Sequence, residues 1–151
     1  MTITSRIEQT TSQTTRRARI IVIEDDSVLT DVIRELLVDE GFDVSVCNRG
    51  ENGHACVVAA QPDLVLLDIR FGDQEYGWRI LDQLILDPAT RCIPVIVTSG
   101  AADSLRSHAP ALLAQNGLFA LPKPFDLDGL LGTVEKALAE SPRLASQNYV
   151  R

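Results

Sequence analysis

Residues 20–41 read IIVIEDDSVLTDVIRELLVDEG, and the change of rhythm inside this stretch decides the fold class. Ile20, Ile21, Val22 and Ile23 form an apolar, β-branched run that stops at three acids, Glu24, Asp25 and Asp26. That is the pattern of a strand buried on both faces and ending at a polar edge. From Ser27 onward the period changes. Val28, Leu29, Val32, Ile33, Leu36 and Leu37 recur at helical spacing, with Ser27 or Asp26 available as N-cap and Gly41 as the stop.

The same alternation continues downstream. Residues 44–47 read as a second strand and residues 53–60 as a second helix ended by Pro62. The run 64–67 is again wholly apolar and again stops at an acid, Asp68, before an irregular, glycine-containing segment at 70–77. Residues 78–86 have helical spacing through Ile80, Leu81, Leu84 and Ile85, and 93–97 form a fourth buried strand closed by Thr98, Ser99 and Gly100. A fourth helix is expected over 103–115 and a short fifth strand over 119–121, before Pro122, Lys123 and Pro124. Leu127, Leu130, Leu131, Val134 and Leu138 mark a final amphipathic helix. Each parallel connection must cross over through a helix, so five strands alternating with five helices predict an α/β protein with a doubly wound parallel sheet. The expected organisation is a disordered arm over 1–18, one domain over 19–140 and a tail over 141–151. No internal repeat or segment long enough for a second domain interrupts it.

Composition narrows the function. A hydrophobic content of 45% in 151 residues suffices for a single core. The net charge of -7 and a pI near 4.7 argue against a general grip on nucleic-acid phosphates, which needs clustered Lys and Arg. The arm is rich in Thr, Ser, Gln and Arg and lacks the apolar core of a secretory signal. Its arginines, Arg6, Arg16, Arg17 and Arg19, are available to dock on something acidic, although a solvated tail is the simpler expectation. No apolar run approaches the roughly 18 to 20 residues needed to cross a bilayer, so the expectation is a soluble, cytoplasmic protein whose ends are natural ones. Cys47, Cys56 and Cys92 are widely spaced, form no zinc-ligand pattern, and are expected to be reduced, core-facing thiols.

In an open parallel sheet, ligands bind at the carboxyl ends of the strands, beside the point where strand order reverses. The residues expected there are Glu24, Asp25 and Asp26, then Asp68, then Thr98 and Ser99, then Lys123. Converging carboxylates repel one another unless a cation compensates, and an all-oxygen cluster with few protein ligands suits octahedral Mg²⁺. One carboxylate oxygen then remains free as a nucleophile toward phosphorus, and Asp68 is best placed for this. A phosphoryl group in transfer spreads charge over its oxygens, so it calls for a lysine, a hydroxyl and a metal; Lys123, Thr98 or Ser99, and Mg²⁺ fit those roles.

With these residues in place, the sequence resembles the response-regulator receiver family of two-component signalling, in its single-domain form. The resemblance runs from about Ile20 to Leu138 through VIEDD at 22–26, LVLLD at 64–68, VIVTSG at 95–100 and LPKPF at 121–125. Each pattern is weak alone; in this order and at the right strand ends they are specific together. The resemblance implies a flavodoxin-like strand order of 2-1-3-4-5. It implies that Glu24 and Asp25 are the acidic pair and Asp68 the phosphoacceptor. Thr98 is then the hydroxyl and Lys123 the phosphate-contacting lysine, with a cis peptide before Pro124. Arg70 falls where the family donates a backbone carbonyl to the metal. The implied partners are a sensor histidine kinase or histidine phosphotransfer protein, a downstream protein and a possible homodimer copy, with no direct nucleic-acid or membrane partner. The implied role is a phosphorylation switch rather than an enzyme.

The loop after Asp68 departs from the family pattern. Phe71 and Gly72 stand near the usual proline position and Gly77 comes nine residues after Asp68, so the loop carries one extra residue and two added acids, Asp73 and Glu75. Ala120 replaces the family's switch aromatic, with Phe119 one position earlier, which alters the expected relay from hydroxyl to aromatic. These departures keep a second reading open, a phosphorylation-independent interaction module, against which Asp68 and Lys123 count. A hydrolase or nucleotide-binding enzyme on the same scaffold would need a glycine-rich phosphate loop, and neither common form of it is present. His54 and His108 fall on helices away from the strand ends and are expected in surface or partly buried roles, while Trp78 is expected to pack at the start of the third helix.

Overall fold

The computed structural model describes residues 16–70, 75–100, 107, 117–141 and 149–150. Its strands are β1 (Arg16–Arg17), β2 (Arg19–Ile23), β3 (Asp43–Cys47), β4 (Leu64–Asp68), β5 (Val95–Ser99), β6 (Leu118–Pro122) and β7 (Tyr149–Val150). Between them run α1 (Ser27–Asp39), α2 (Gly53–Ala60), α3 (Tyr76–Leu86) and α4 (Leu127–Ala139). The main sheet has the order β3-β2-β4-β5-β6, parallel throughout. In terms of the expected five strands this is 2-1-3-4-5. The helix expected over 103–115 lies outside the described residues except for Ser107, which is helical.

Local chemistry sets the element ends. Asp26 caps α1, its carboxylate accepting from the Val28 and Leu29 amides at 3.0 and 3.2 Å, which settles the choice between Asp26 and Ser27. Gly41, at φ 94°, turns the chain out of the helix. Gln61, in the left-handed region at φ 45°, closes α2 ahead of Pro62. β5 begins two residues later than the periodicity predicts, because Ile93 donates its amide back to Thr90 in a turn and Pro94 has no amide to give a ladder. Consequently Thr98 and Ser99 lie within the strand.

The period-two alternation of the strands divides two apolar layers. Ile21, Ile23, Leu67 and Val97 pack with Val57 of α2 and Ile80, Leu81 and Leu84 of α3. Ile20, Val22, Leu66 and Ile96 pack on the other face with Ile33 and Leu37 of α1 and Leu130 and Val134 of α4. Each such side chain, fully buried, contributes about 1.5–3 kcal/mol relative to exposure. Gly77, at the second position of α3, approaches β4 so closely that a Cβ there would overlap the Ile69 backbone and the Asp68 carbonyl. Its amide donates to the Ile69 carbonyl at 2.9 Å.

Just ahead of the expected boundary at residue 19, Arg16–Arg17 pair in parallel with Tyr149–Val150, and Ala18 is fully buried in the α1/α4 layer. Arg16 forms two hydrogen bonds, at 2.6 and 2.7 Å, to the wholly buried carboxylate of Asp63, which also accepts the Arg19 amide at 2.8 Å. Of the four arginines, Arg16 thus has an internal acidic partner rather than the solvated setting expected of the arm, while Arg6 lies outside the described residues. Cys47 and Cys56 are joined as a disulfide rather than reduced, since strand end and helix bring their Cα atoms to 6.4 Å. Cys92 is a free thiol and is exposed rather than core-facing, because it lies in the turn that feeds β5.

Candidate functional site

The sheet delivers Glu24, Asp68, Thr98 and Lys123 to its carboxyl edge. Asp68 is the last residue of β4, in register with Thr98 of β5, and both are buried. Glu24 follows β2, with its amide bonded to the Cys47 carbonyl at 3.3 Å, and the residue is only 4% exposed. Lys123 follows β6, anchored by its amide to the Ser99 carbonyl at 2.9 Å, and the Lys123-Pro124 bond is cis. Lys123 Nζ donates to Glu24 Oε2 at 2.9 Å and lies 3.5 Å from Asp68 Oδ2.

Glu24, exposed Asp25 and Asp68 each place a carboxylate oxygen within 4.8 Å of the others. Asp26 is drawn away by its capping bonds, so the acidic run divides into two residues for the site and one for the helix. Arg70 is exposed, and its amide lies 3.4 Å from Asp68 Oδ1. The Thr98 hydroxyl is 3.5 Å from the Leu67 carbonyl. Ser99, the other hydroxyl candidate, lies on the opposite face of β5 by strand alternation.

The electrostatics are those of an under-compensated anion pocket. Burial, reinforced by the charge of Asp68 and opposed by Lys123, pushes the Glu24 carboxyl up to about 7. Burial also raises the Asp68 carboxyl, against the pull of Lys123. Burial disfavours the Lys123 ammonium, but the hydrogen bond and charge of Glu24 and the charge of Asp68 outweigh it and raise its pKa. Three carboxylates against one ammonium leave a net charge of about −2 when all are ionised, and the donors are all oxygen. That donor set fits a hard divalent cation.

Other expected features fall elsewhere. His54 is partly buried with its Nε2 2.9 Å from Asp87 Oδ2, far along α3 from the site, and His108 lies outside the described residues. Trp78 packs at the start of α3 against the α2/α3 layer, as expected. Phe119 cannot stand in for Ala120: it packs toward the α1/α4 layer, whereas its neighbour on β6 faces the other way. The loop residues 71–74, including Phe71, Gly72 and Asp73, lie outside the described residues. Sequence reasoning missed a cleft of about 400 Å³ beside Lys123, lined by Leu29, Gly100, Lys123, Pro124 and Phe125. Leu29 gave no signal for it, since it has the spacing of an ordinary core position.

Comparison with known proteins places the chain in a family. The chain is 29% identical over 126 residues to the DNA-binding dual master transcriptional regulator RpaA of Synechocystis sp., an alignment covering 83% of this chain and 51% of RpaA. It is 31% identical over 131 residues to the DNA-binding transcriptional regulator NtrC of Rhizobium meliloti, covering 86% of this chain and 26% of NtrC. The chain thus spans about half of one relative and about a quarter of the other. Among solved structures, a CheY-like response regulator receiver domain protein from Methanospirillum hungatei superposes with a TM-score of 0.70 at 27% identity, covering 84% of this chain and 98% of that one. Among the described residues no helix is long and apolar enough to cross a membrane. The response regulator receiver domain model matches residues 20–135, and the chain therefore belongs to the response regulator receiver family of two-component systems.

Proposed function

We propose that this receiver domain accepts a phosphoryl group on Asp68 and acts as a signalling switch rather than an enzyme. The observation that supports this best is the placement of Lys123 Nζ 2.9 Å from Glu24 and 3.5 Å from Asp68 at the carboxyl edge of the sheet. An Asp68 oxygen forms the new bond to phosphorus as the bond to a histidine nitrogen of the donor breaks. Lys123 leaves its shared position between the two carboxylates to meet the phosphoryl oxygens, and the Thr98 hydroxyl turns from the Leu67 carbonyl toward them. Glu24, Asp25, Asp68 and the Arg70 carbonyl are the groups that would hold Mg²⁺, which when bound supplies charge compensation for the carboxylates and the incoming phosphate.

The donor is a histidine kinase or histidine phosphotransfer protein of the cytoplasm. The surface next to Asp68 suits a protein partner: Val28 and Val32 are exposed one turn apart on α1, and Leu127 is exposed beyond the Leu29, Pro124 and Phe125 cleft. The output is a shift of population between two surfaces, read by a downstream protein or a second copy. Intact mass after incubation with a small phosphodonor and Mg²⁺ tests the reading. A phosphoryl-sized gain is expected in the native chain and absent from Asp68→Asn or after chelation. No gain in folded, metal-saturated protein would overturn it in favour of a module that works unmodified.

A further inference from the structure

We propose that Cys47 and Cys56 form a reversible thiol–disulfide switch that controls how tightly the acidic edge holds a divalent cation. This rests on the reading of Glu24, Asp25 and Asp68 as a cation site. Cys47 is the last residue of β3, which among the described residues is an edge strand paired with β2. Cys56 lies one turn into α2 and is half-buried, whereas Cys47 is only 5% exposed, so Cys56 is the more accessible residue of the two. The bond closes a short loop containing the turn at Gly50–Asn52 and the first turn of α2.

That loop adjoins the site. The Cys47 carbonyl accepts the Glu24 amide at 3.3 Å, and Cys47 is in register with Ile23, the residue before Glu24. Asn48, inside the closed loop, lines a cleft together with Glu24 and Asp25. With the bond formed, β3, Asn48 and α2 are tied into one body behind the acids. With it open, α2 is held by its apolar contacts, such as Gly53 against Ile80, and by the His54–Asp87 pair, and the backbone that positions Glu24 loses a constraint. Where thiols are kept reduced, a disulfide of this kind is a transient signal rather than a permanent staple.

The chemistry balances with a small-molecule disulfide of the glutathione type as oxidant. The Cys56 thiol attacks it, releasing one small thiol and leaving a mixed disulfide. Cys47 then displaces the second small thiol, so two protons and two electrons pass from the protein to the oxidant. Cys92→Ser protein, which removes the exposed free thiol, is equilibrated in glutathione buffers of varied ratio; alkylation counts its thiols by mass, and calorimetric titration measures Mg²⁺ affinity. The expected result is two thiols in reducing buffer and none in oxidising buffer, with Mg²⁺ held at least threefold more tightly in the oxidised form. Adding Cys56→Ser is expected to give the weaker affinity in both buffers, with folding checked by circular dichroism. Two thiols in every buffer, or equal affinities in the two states, would overturn the switch. Failure to bind Mg²⁺ in either state overturns the cation reading instead, and the coupling with it, and the thiol count tells the two failures apart.

Discussion

Glu24 shows how burial sets the behaviour of a single residue. Its carboxyl is raised from an ordinary 4.5 to about 7 because burial and Asp68 disfavour its charge more than Lys123 supports it. The folded state therefore holds this proton more tightly than the unfolded chain does. In chelator, the resulting stabilisation is complete below about pH 4.5 and is lost as pH rises to about 7. Chemical denaturation of native and Glu24→Gln protein across this window is expected to show a difference on the order of 2 kcal/mol in pH dependence, the variant being flatter. Parallel curves would place the titration elsewhere. The residue scale was largely legible: Glu24, Asp25, Asp68, Thr98 and Lys123 all lie at one edge, because strand ends in a parallel sheet converge whatever lies between them. What the chain order did not reveal was the division of the acidic run, since Asp26 differs from its neighbours only in where the helix begins.

At the scale of elements, the start of α3 is set by its close contact with the end of β4. Gly77 stands where only a hydrogen fits against the Ile69 backbone and the Asp68 carbonyl. Gly77→Ala must push α3 off the end of β4, and the expected cost is about 2 kcal/mol or more, of the size seen on overpacking a core. Thermal unfolding measures it, and a loss of phosphoryl uptake beyond the fraction unfolded would show that the strand end moves with the helix. A variant as stable as the native chain would mean that α3 adjusts freely. The sequence placed a glycine near this point without its purpose, because the close approach is made by backbone atoms that leave no mark on side-chain periodicity.

For the molecule as a whole, the ion pair of Arg16 with Asp63 fastens the segment before β2 beneath the sheet, at the end opposite the acidic edge. Asp63 is fully buried, so removing the arginine leaves a carboxylate with less compensation than its burial demands. Arg16 is itself one-third exposed, which tempers the effect. Arg16→Ala is expected to lower stability by about 2 kcal/mol, and Asp63→Asn in the same background to recover part of it, as a double-mutant cycle in urea would measure. Independent, additive losses would show that the pair does not act as a unit.

The sequence by itself determined the alternation of strands and helices, the two-layered core and the edge on which the acids, hydroxyl and lysine meet. These follow from apolar period and strand polarity, which are local properties of the chain. The tertiary structure alone decided which acid caps α1, that Cys47 meets Cys56, that Arg16 finds Asp63, and that Phe119 faces away from the position Ala120 leaves open. Each of these depends on where two separately formed elements come to rest against one another, and spacing along the chain carries no record of that distance.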